Sequence, residues 1–413
     1  MTETPPPGTA PATHPGSGAS TTGFAARAVR RPWLLLVAVV LVAANLRPAL
    51  VSVPPLLATI RHDLGLSSAA AGLLTTLPVI CMGLFAPAGA LVASRLGRER
   101  ALAGSLLLVA AGTLVRGFGA HVVPLYTGTL VTGVGIAVGT ALLPGVVKAW
   151  FPDRAGAVTG LYTAALVGGA LLAATLTVPL HEDLGLAWPQ ALAAWGLVAV
   201  AGLVVWVPVT RPVREPRTGR TPRVALPWRS GVAWRVSLFL GFQSVLYYTT
   251  MTWLPPLYIG EGWTARRAGL ALAAFSLSQL VASLVIPALS DRRGDRRPWV
   301  LFCCVVTTVG LLLLALAPDA APWTAAAVLG FGIGGQFALA LSLLVDLAPS
   351  SSDAARLSGM AFLVGYLLAS AGPVLAGVLH DASGGFRAPI LTLVLVALVT
   401  VSLGMSVRPG LRV

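Results

Sequence analysis

The chain has 413 residues, of which 56% are hydrophobic and 10% charged, with 28 Lys and Arg against 14 Asp and Glu for a net charge of +14. A soluble domain carries about 25% charged residues and a disordered chain is poor in apolar ones, so the composition excludes both. Cys81, Cys303 and Cys304 all lie inside apolar runs, which excludes a disulfide-stapled scaffold.

Residues 1–31 are rich in Pro, Ser, Thr, Gly and Ala, hold one acid, Glu3, and end on Arg27, Arg30 and Arg31. With nothing to bury, this segment reads as a disordered cytoplasmic tail. A signal peptide would put its basic residues first and follow them with a short apolar core, so none is expected.

From Trp33 onward come twelve apolar runs, at about 33–59, 70–94, 101–120, 122–147, 155–179, 188–209, 233–259, 267–290, 298–317, 322–346, 355–379 and 388–407. A helix needs about 20 apolar residues to cross about 30 Å of hydrocarbon, and the runs reach that length. Barrel strands would be about ten residues long and would alternate. The expected fold is all-α integral membrane, with 12 transmembrane helices.

An even number of spans puts both termini on one side. If that side is the cytoplasm, 22 of the 28 basic residues lie on it, and Arg61, Arg266, Arg267 and Arg387 lie opposite. Such asymmetry places both ends inside, as expected for a multi-pass protein of the bacterial cytoplasmic membrane. The basic residues are spread over short loops, so the expected partner is the lipid bilayer and not nucleic acid.

The chain also repeats. Leu91 to Arg100 (LVASRLGRER) resembles Ala288 to Arg297 (ALSDRRGDRR), and Gly133-Val-Gly-Ile136 matches Gly330-Phe-Gly-Ile333, both at an offset of 197. Val53-Pro-Pro-Leu56 matches Leu254-Pro-Pro-Leu257 at 201, and Thr159-Gly160 and Leu180-His181 match Ser358-Gly359 and Leu379-His380 at 199. Matches at nearly one offset, each at the corresponding place in the helix order, predict two parallel six-helix halves, 32–209 and 233–413, joined by a basic cytoplasmic linker at 210–232.

Two such halves resemble the major facilitator superfamily, which implies a solute site near the midplane and alternating access. The repeated basic loop resembles its G-x-L-x-D-[RK]-x-G-[RK]-[RK] signature. The second copy keeps Asp291, Arg292 and Gly294; the first keeps Arg95, Gly97 and Arg98 but has Ser94 in the acid's place. The resemblance implies a gating role for these residues. Within the superfamily, Asn45-Leu-Arg-Pro48, Gly72-Leu-Leu-Thr-Thr-Leu-Pro78, Gly83-Leu-Phe-Ala-Pro87, Gly135-Ile-Ala-Val-Gly139, Thr159-Gly-Leu-Tyr-Thr163 and Gln243-Ser244 with Tyr248 and Trp253-Leu-Pro255 are similar to the cyanate and 2-nitroimidazole transporter family. That implies a small-molecule solute, and Asn45 joins the candidate substrate residues on this ground.

An ionised side chain at bilayer depth is a functional candidate by default. Arg47 lies 14 residues beyond Trp33, about 21 Å along a helix, with more of the span to follow. A guanidinium there suits two-point binding of an anion, or it ties down carbonyls freed by Pro48. Arg116, about four residues from the end of its run, lies within snorkelling reach; the interface is the favoured reading and a place facing the cavity the alternative. No Asp, Glu or His lies well inside a run. Arg47 therefore has no expected internal counter-ion, and neither an enzyme's catalytic set nor a metal or cofactor site can be assembled.

Uncharged polar residues form stripes at helical spacing: Gln243, Tyr247 and Thr250; Ser276, Gln279 and Ser283; Ser358, Tyr366 and Ser370. Gln336 and Tyr162 are single candidates. Each lines a solute cavity or makes an interhelical packing bond. The expected function is transport of a small polar solute, a cyanate-like anion or a nitroheterocycle, by a monomer; an exporter of drugs is the alternative.

Overall fold

The computed structural model describes residues 32–211, 226–291, 295–407 and 411. The tail at 1–31, most of the linker at 210–232, and Arg292 and Gly294 lie outside the described residues. Each of the twelve apolar runs coincides with helix, and the first is broken.

That first run forms α1 (Pro32–Asn45), α2 (Pro48–Val51) and α3 (Val53–Leu64). Pro48 has no N–H for the carbonyl of Ala44, and the chain tightens so that the Leu46 N–H reaches Ala43 O at 3.1 Å. Pro54 and Pro55 likewise remove the helical donors for the Leu50 and Val51 carbonyls. The matching Pro255 and Pro256 sit inside one continuous helix.

The other helices are α4 (Ser68–Leu96), α5 (Arg98–Val115), α6 (Val122–Trp150), α7 (Ala155–Glu182), α8 (Trp188–Thr210), α9 (Gly231–Gly260), α10 (Ala265–Ser290), α11 (Arg297–Leu316), α12 (Pro322–Asp346), α13 (Ser351–Ser383) and α14 (Arg387–Ser406). Ser67, Ser230, Thr264 and Ser350 cap their helices through side-chain oxygens. Gly97 turns α4 into α5 at φ +89°, a backbone region open to glycine and strained for other residues.

Among the described residues ten helical segments are long and apolar enough to cross a membrane, with α1–α3 counted as one. The two runs that fall short are α5, which opens on Arg98-Glu99-Arg100, and α9, whose Gln243, Ser244, Thr249, Thr250 and Thr252 dilute its hydropathy.

Packing repeats with the sequence. A Cβ on Gly133 of α6 would meet Pro78 Cα of α4 at 2.7 Å, and one on its counterpart Gly330 of α12 would meet Phe275 O of α10 at 2.0 Å. Gly135 approaches Ser105 O of α5 and Gly332 approaches Thr307 of α11 in the same sense. These glycines permit close helix contact within each half, at corresponding pairs of helices.

The halves meet through α4 on α13 and α7 on α10, so the second helix of each half packs on the fifth of the other. A Cβ on Gly72 would lie 2.6 Å from Pro373 O, and one on Gly269 would lie 2.6 Å from Ala174 O. Polar ties join the halves along the same seams. The Thr76 hydroxyl donates to Ser370 O at 2.7 Å, and Arg266 pairs with Glu182 and Asp183.

Candidate functional site

Arg47 caps α2 from inside the break, and its carbonyl accepts the N–H groups of Leu50 and Val51 at 3.0 and 3.1 Å. Its side chain is half-buried and reaches into the second half. Nη1 donates to the Tyr247 hydroxyl at 2.7 Å, and the guanidinium carbon lies 5.5 Å from the Tyr247 ring centre. Tyr247 belongs to α9 in the second half, so the hydrogen bond crosses between the halves.

A wall of aromatic rings surrounds this contact. Tyr248 stands edge-on to Tyr247 and to Tyr366, at 4.8 and 6.2 Å between centres. Phe275 of α10 stacks on Tyr247, and Phe362 of α13 stacks on Tyr366. The Tyr248 hydroxyl donates to the Met82 thioether of α4 at 3.6 Å. Side chains of α4, α9, α10 and α13 thus pack in one cluster with the tyrosine that Arg47 meets.

Among the described residues no carboxylate pairs with Arg47. Its neighbours are neutral phenols, which accept a hydrogen bond and neutralise nothing. Tyr247 accepts from Arg47 through its oxygen and keeps its own O–H to donate. The pair therefore offers guanidinium and phenol donors side by side to one acceptor-rich group.

The other candidates are placed elsewhere. The amide of Asn45 donates to Leu41 O of its own helix at 2.8 Å and lies against Gly202. Gln243 donates to Ile333 O at 3.1 Å, and Gln336 donates to Thr307 Oγ1 at 2.7 Å. Gln279 is half-buried and packed on Gly334, and Tyr162 lies in the apolar core of the first half. Ser276, Ser283 and Ser370 donate to carbonyls of their own helices. Of the eight candidate substrate residues, the structure brings together Arg47, Tyr247 and Tyr366. Tyr248, quoted in the resemblance and left out of the candidates, joins them.

The snorkelling expected of Arg116 is overturned. The residue is 1% exposed, and its Nη1 donates to the Ala49 carbonyl at 2.5 Å. Helix α5 stops at Val115, and the glycines at 112 and 128 let α6 close over the arginine's stem.

At the opposite end of the bundle, Arg95 is exposed and Arg98 half-buried. Ser94, in the acid's place, donates back to Leu91 O at 2.8 Å. In the second copy Asp291 accepts from Arg296 at 2.7 Å, and Arg296 also pairs with Asp346. The Arg297 side chain and N–H hold the carboxylate of Asp295 below its usual range. Among the described residues no group of three His, Cys, Asp or Glu side chains is placed to hold a metal ion.

Comparison with known proteins agrees with this architecture. The model of the Major Facilitator Superfamily matches residues 33–265 and 247–411. The chain is 36% identical to the 2-nitroimidazole transporter of Escherichia coli, covering 90% of this chain and 94% of that one. It is also 36% identical to the cyanate transport protein CynX of Escherichia coli, covering 85% and 91%. A solved bacterial homologue of the human lysosomal transporter Spinster, inward-facing and unoccupied, superposes with a TM-score of 0.72 at 15% identity, covering 92% and 97%. With its helical repeat and a guanidinium held between the halves, the chain belongs to the major facilitator superfamily of membrane transporters.

Proposed function

We propose that the chain carries a small anion or a strongly polar nitro compound across the membrane, with Arg47 as the anchor of the solute. The cross-half hydrogen bond from Arg47 to Tyr247 carries this reading. A solute that accepts from both residues would sit on the seam between the halves, where rocking exposes it to either side in turn. The two similar transporters named for cyanate and 2-nitroimidazole support the solute class, since both compounds are compact and rich in acceptors. The moving bodies are residues 32–209 and 233–413 joined by the linker at 210–232, in a monomer with both termini in the cytoplasm. The acids sit toward helix ends, so the solute moves by uniport, by exchange, or with its own proton.

The test is uptake of radiolabelled cyanate and 2-nitroimidazole into proteoliposomes, normalised to folded protein. Arg47→Lys keeps the charge, loses the planar fork and weakens affinity; Arg47→Gln weakens it further, on the order of 2–5 kcal/mol. Well-folded Arg47→Gln protein with unchanged affinity refutes the role.

A further inference from the structure

Arg116 is a second guanidinium inside the bundle, and unlike Arg47 it is sealed from solvent. Burying a cation is costly unless acceptors take up its protons. The chain supplies one acceptor at the broken turn of the first span. Pro54 and Pro55 leave the Leu50 and Val51 carbonyls without helical donors, and Ala49, in the same turn, gives its carbonyl to Arg116 Nη1 at 2.5 Å. Space for the stem comes from α6, where a Cβ on Gly128 would lie 3.0 Å from Arg116 Cγ.

The acceptor belongs to α2, and α2 is the four-residue turn that Arg47 caps. This turn is set off from α1 at Leu46-Arg47 and from α3 at Ser52, so no uninterrupted helix holds it on either side. The tie from Arg116 to Ala49, two residues beyond Arg47, supplies a fixed point. We propose that Arg116 is a positioning residue: by holding α2 it sets where the Arg47 guanidinium meets Tyr247 and the solute. The inference rests on Arg47 being the solute's anchor, and the two can be tested apart.

The first measurement needs no solute. 3-Fluorotyrosine at position 247 of the full chain reports in 19F NMR on the Arg47 contact. Arg116→Gln is expected to move its resonance toward that of Arg47→Gln, and Arg116→Lys, which still donates to a carbonyl but without the guanidinium's reach and fork, to move it part of the way. An unmoved resonance in folded Arg116→Gln protein overturns the inference. If Arg116→Gln does not fold, Arg116→Lys decides alone, with a partial shift expected and no shift overturning the proposal.

The second measurement is uptake of radiolabelled cyanate. Arg116→Gln is expected to raise KM about tenfold with the maximal rate little changed, and to have no further effect on KM in the Arg47→Gln background. An equal rise in both backgrounds overturns the positioning role. An unchanged KM in Arg47→Gln alone overturns the anchor reading instead, and the resonance of Tyr247 then decides by itself whether Arg116 holds α2.

Discussion

Asp381, near the end of α13 in the second half, accepts the backbone N–H groups of Ser68 and Ala69 at the start of α4 in the first half, each at 3.1 Å. A carboxylate of one half therefore caps a helix of the other, at the positive end of that helix. His380 adds a contact from its Nδ1 to the Ser68 hydroxyl at 3.0 Å, and Arg61 lies 3.9 Å from Asp381. Below them Gly377 brings α13 onto Ser68 O, where a Cβ would sit at 2.4 Å. These groups join the halves at this end of the bundle, and rocking open there would require them to part.

Weakening that cap should therefore favour opening. Asp381→Asn keeps the shape and loses the charge, and the expected cost to the closed seal is about 0.3–1 kcal/mol, the usual worth of a negative charge at a helix N-terminus. The readout is thiol labelling of a Thr76→Cys probe by a membrane-impermeant reagent, compared with and without the Asp381 change. Faster labelling is expected, and equal rates would remove Asp381 from the seal.

Glycine substitutions distinguish the seam from open helix surface. Gly72→Ala places a methyl 2.6 Å from Pro373 O, and relief requires the halves to separate. A loss of about 1–3 kcal/mol in the stability of the closed form is expected. Gly104, inside α5, has nothing within 4 Å of its missing Cβ, so Gly104→Ala should be neutral or stabilising by up to about 1 kcal/mol. Thermal unfolding in detergent measures both, and an equal response at the two sites would remove the seam from the explanation.

The helices were legible because a bilayer demands about 20 apolar residues in a row, and that demand is written linearly. Arg47 was legible for the same reason, as a charge far from either end of its run. Its partners were less so. Tyr247 lies about 200 positions away, and nothing in a helical stripe says which stripe faces the other half. Asn45, Gln243 and Gln336 have the same polar character as a solute site but give their N–H groups to nearby carbonyls and a hydroxyl. The burial of Arg116 was not legible because position along its own run says nothing of lateral packing: glycines at 112 and 128 bring α6 over its stem, and its Nη1 finds the Ala49 carbonyl. The cap by Asp381 had no sequence signal, since it exists only once the halves are docked.

The charge asymmetry makes a topological prediction. A cysteine at Glu182 should react from the outside, and one at Arg229 should react only after the membrane is permeabilised. Short loops obey the excess of cytoplasmic basic residues best, and both sites flank such loops. Labelling of Glu182→Cys from the cytoplasmic side alone would invert the orientation, and with it the side sealed by Asp381.

The last prediction concerns how Arg47 and Tyr247 share the solute. Tyr247→Phe removes one hydroxyl and keeps the ring that stacks on Phe275, so the aromatic wall stays. Without solute, Arg47 loses the acceptor of its 2.7 Å bond, which raises the free energy of the empty carrier. With solute bound, one donor is missing while the guanidinium still holds the charge. The two losses oppose each other in the binding equilibrium, so affinity should fall by only about 1 kcal/mol, well short of the loss for Arg47→Gln. Initial uptake measured over a range of solute concentrations gives both numbers from the same preparation. If Tyr247→Phe costs as much as Arg47→Gln, the phenol and not the guanidinium is the main anchor, and Arg47 serves to orient it.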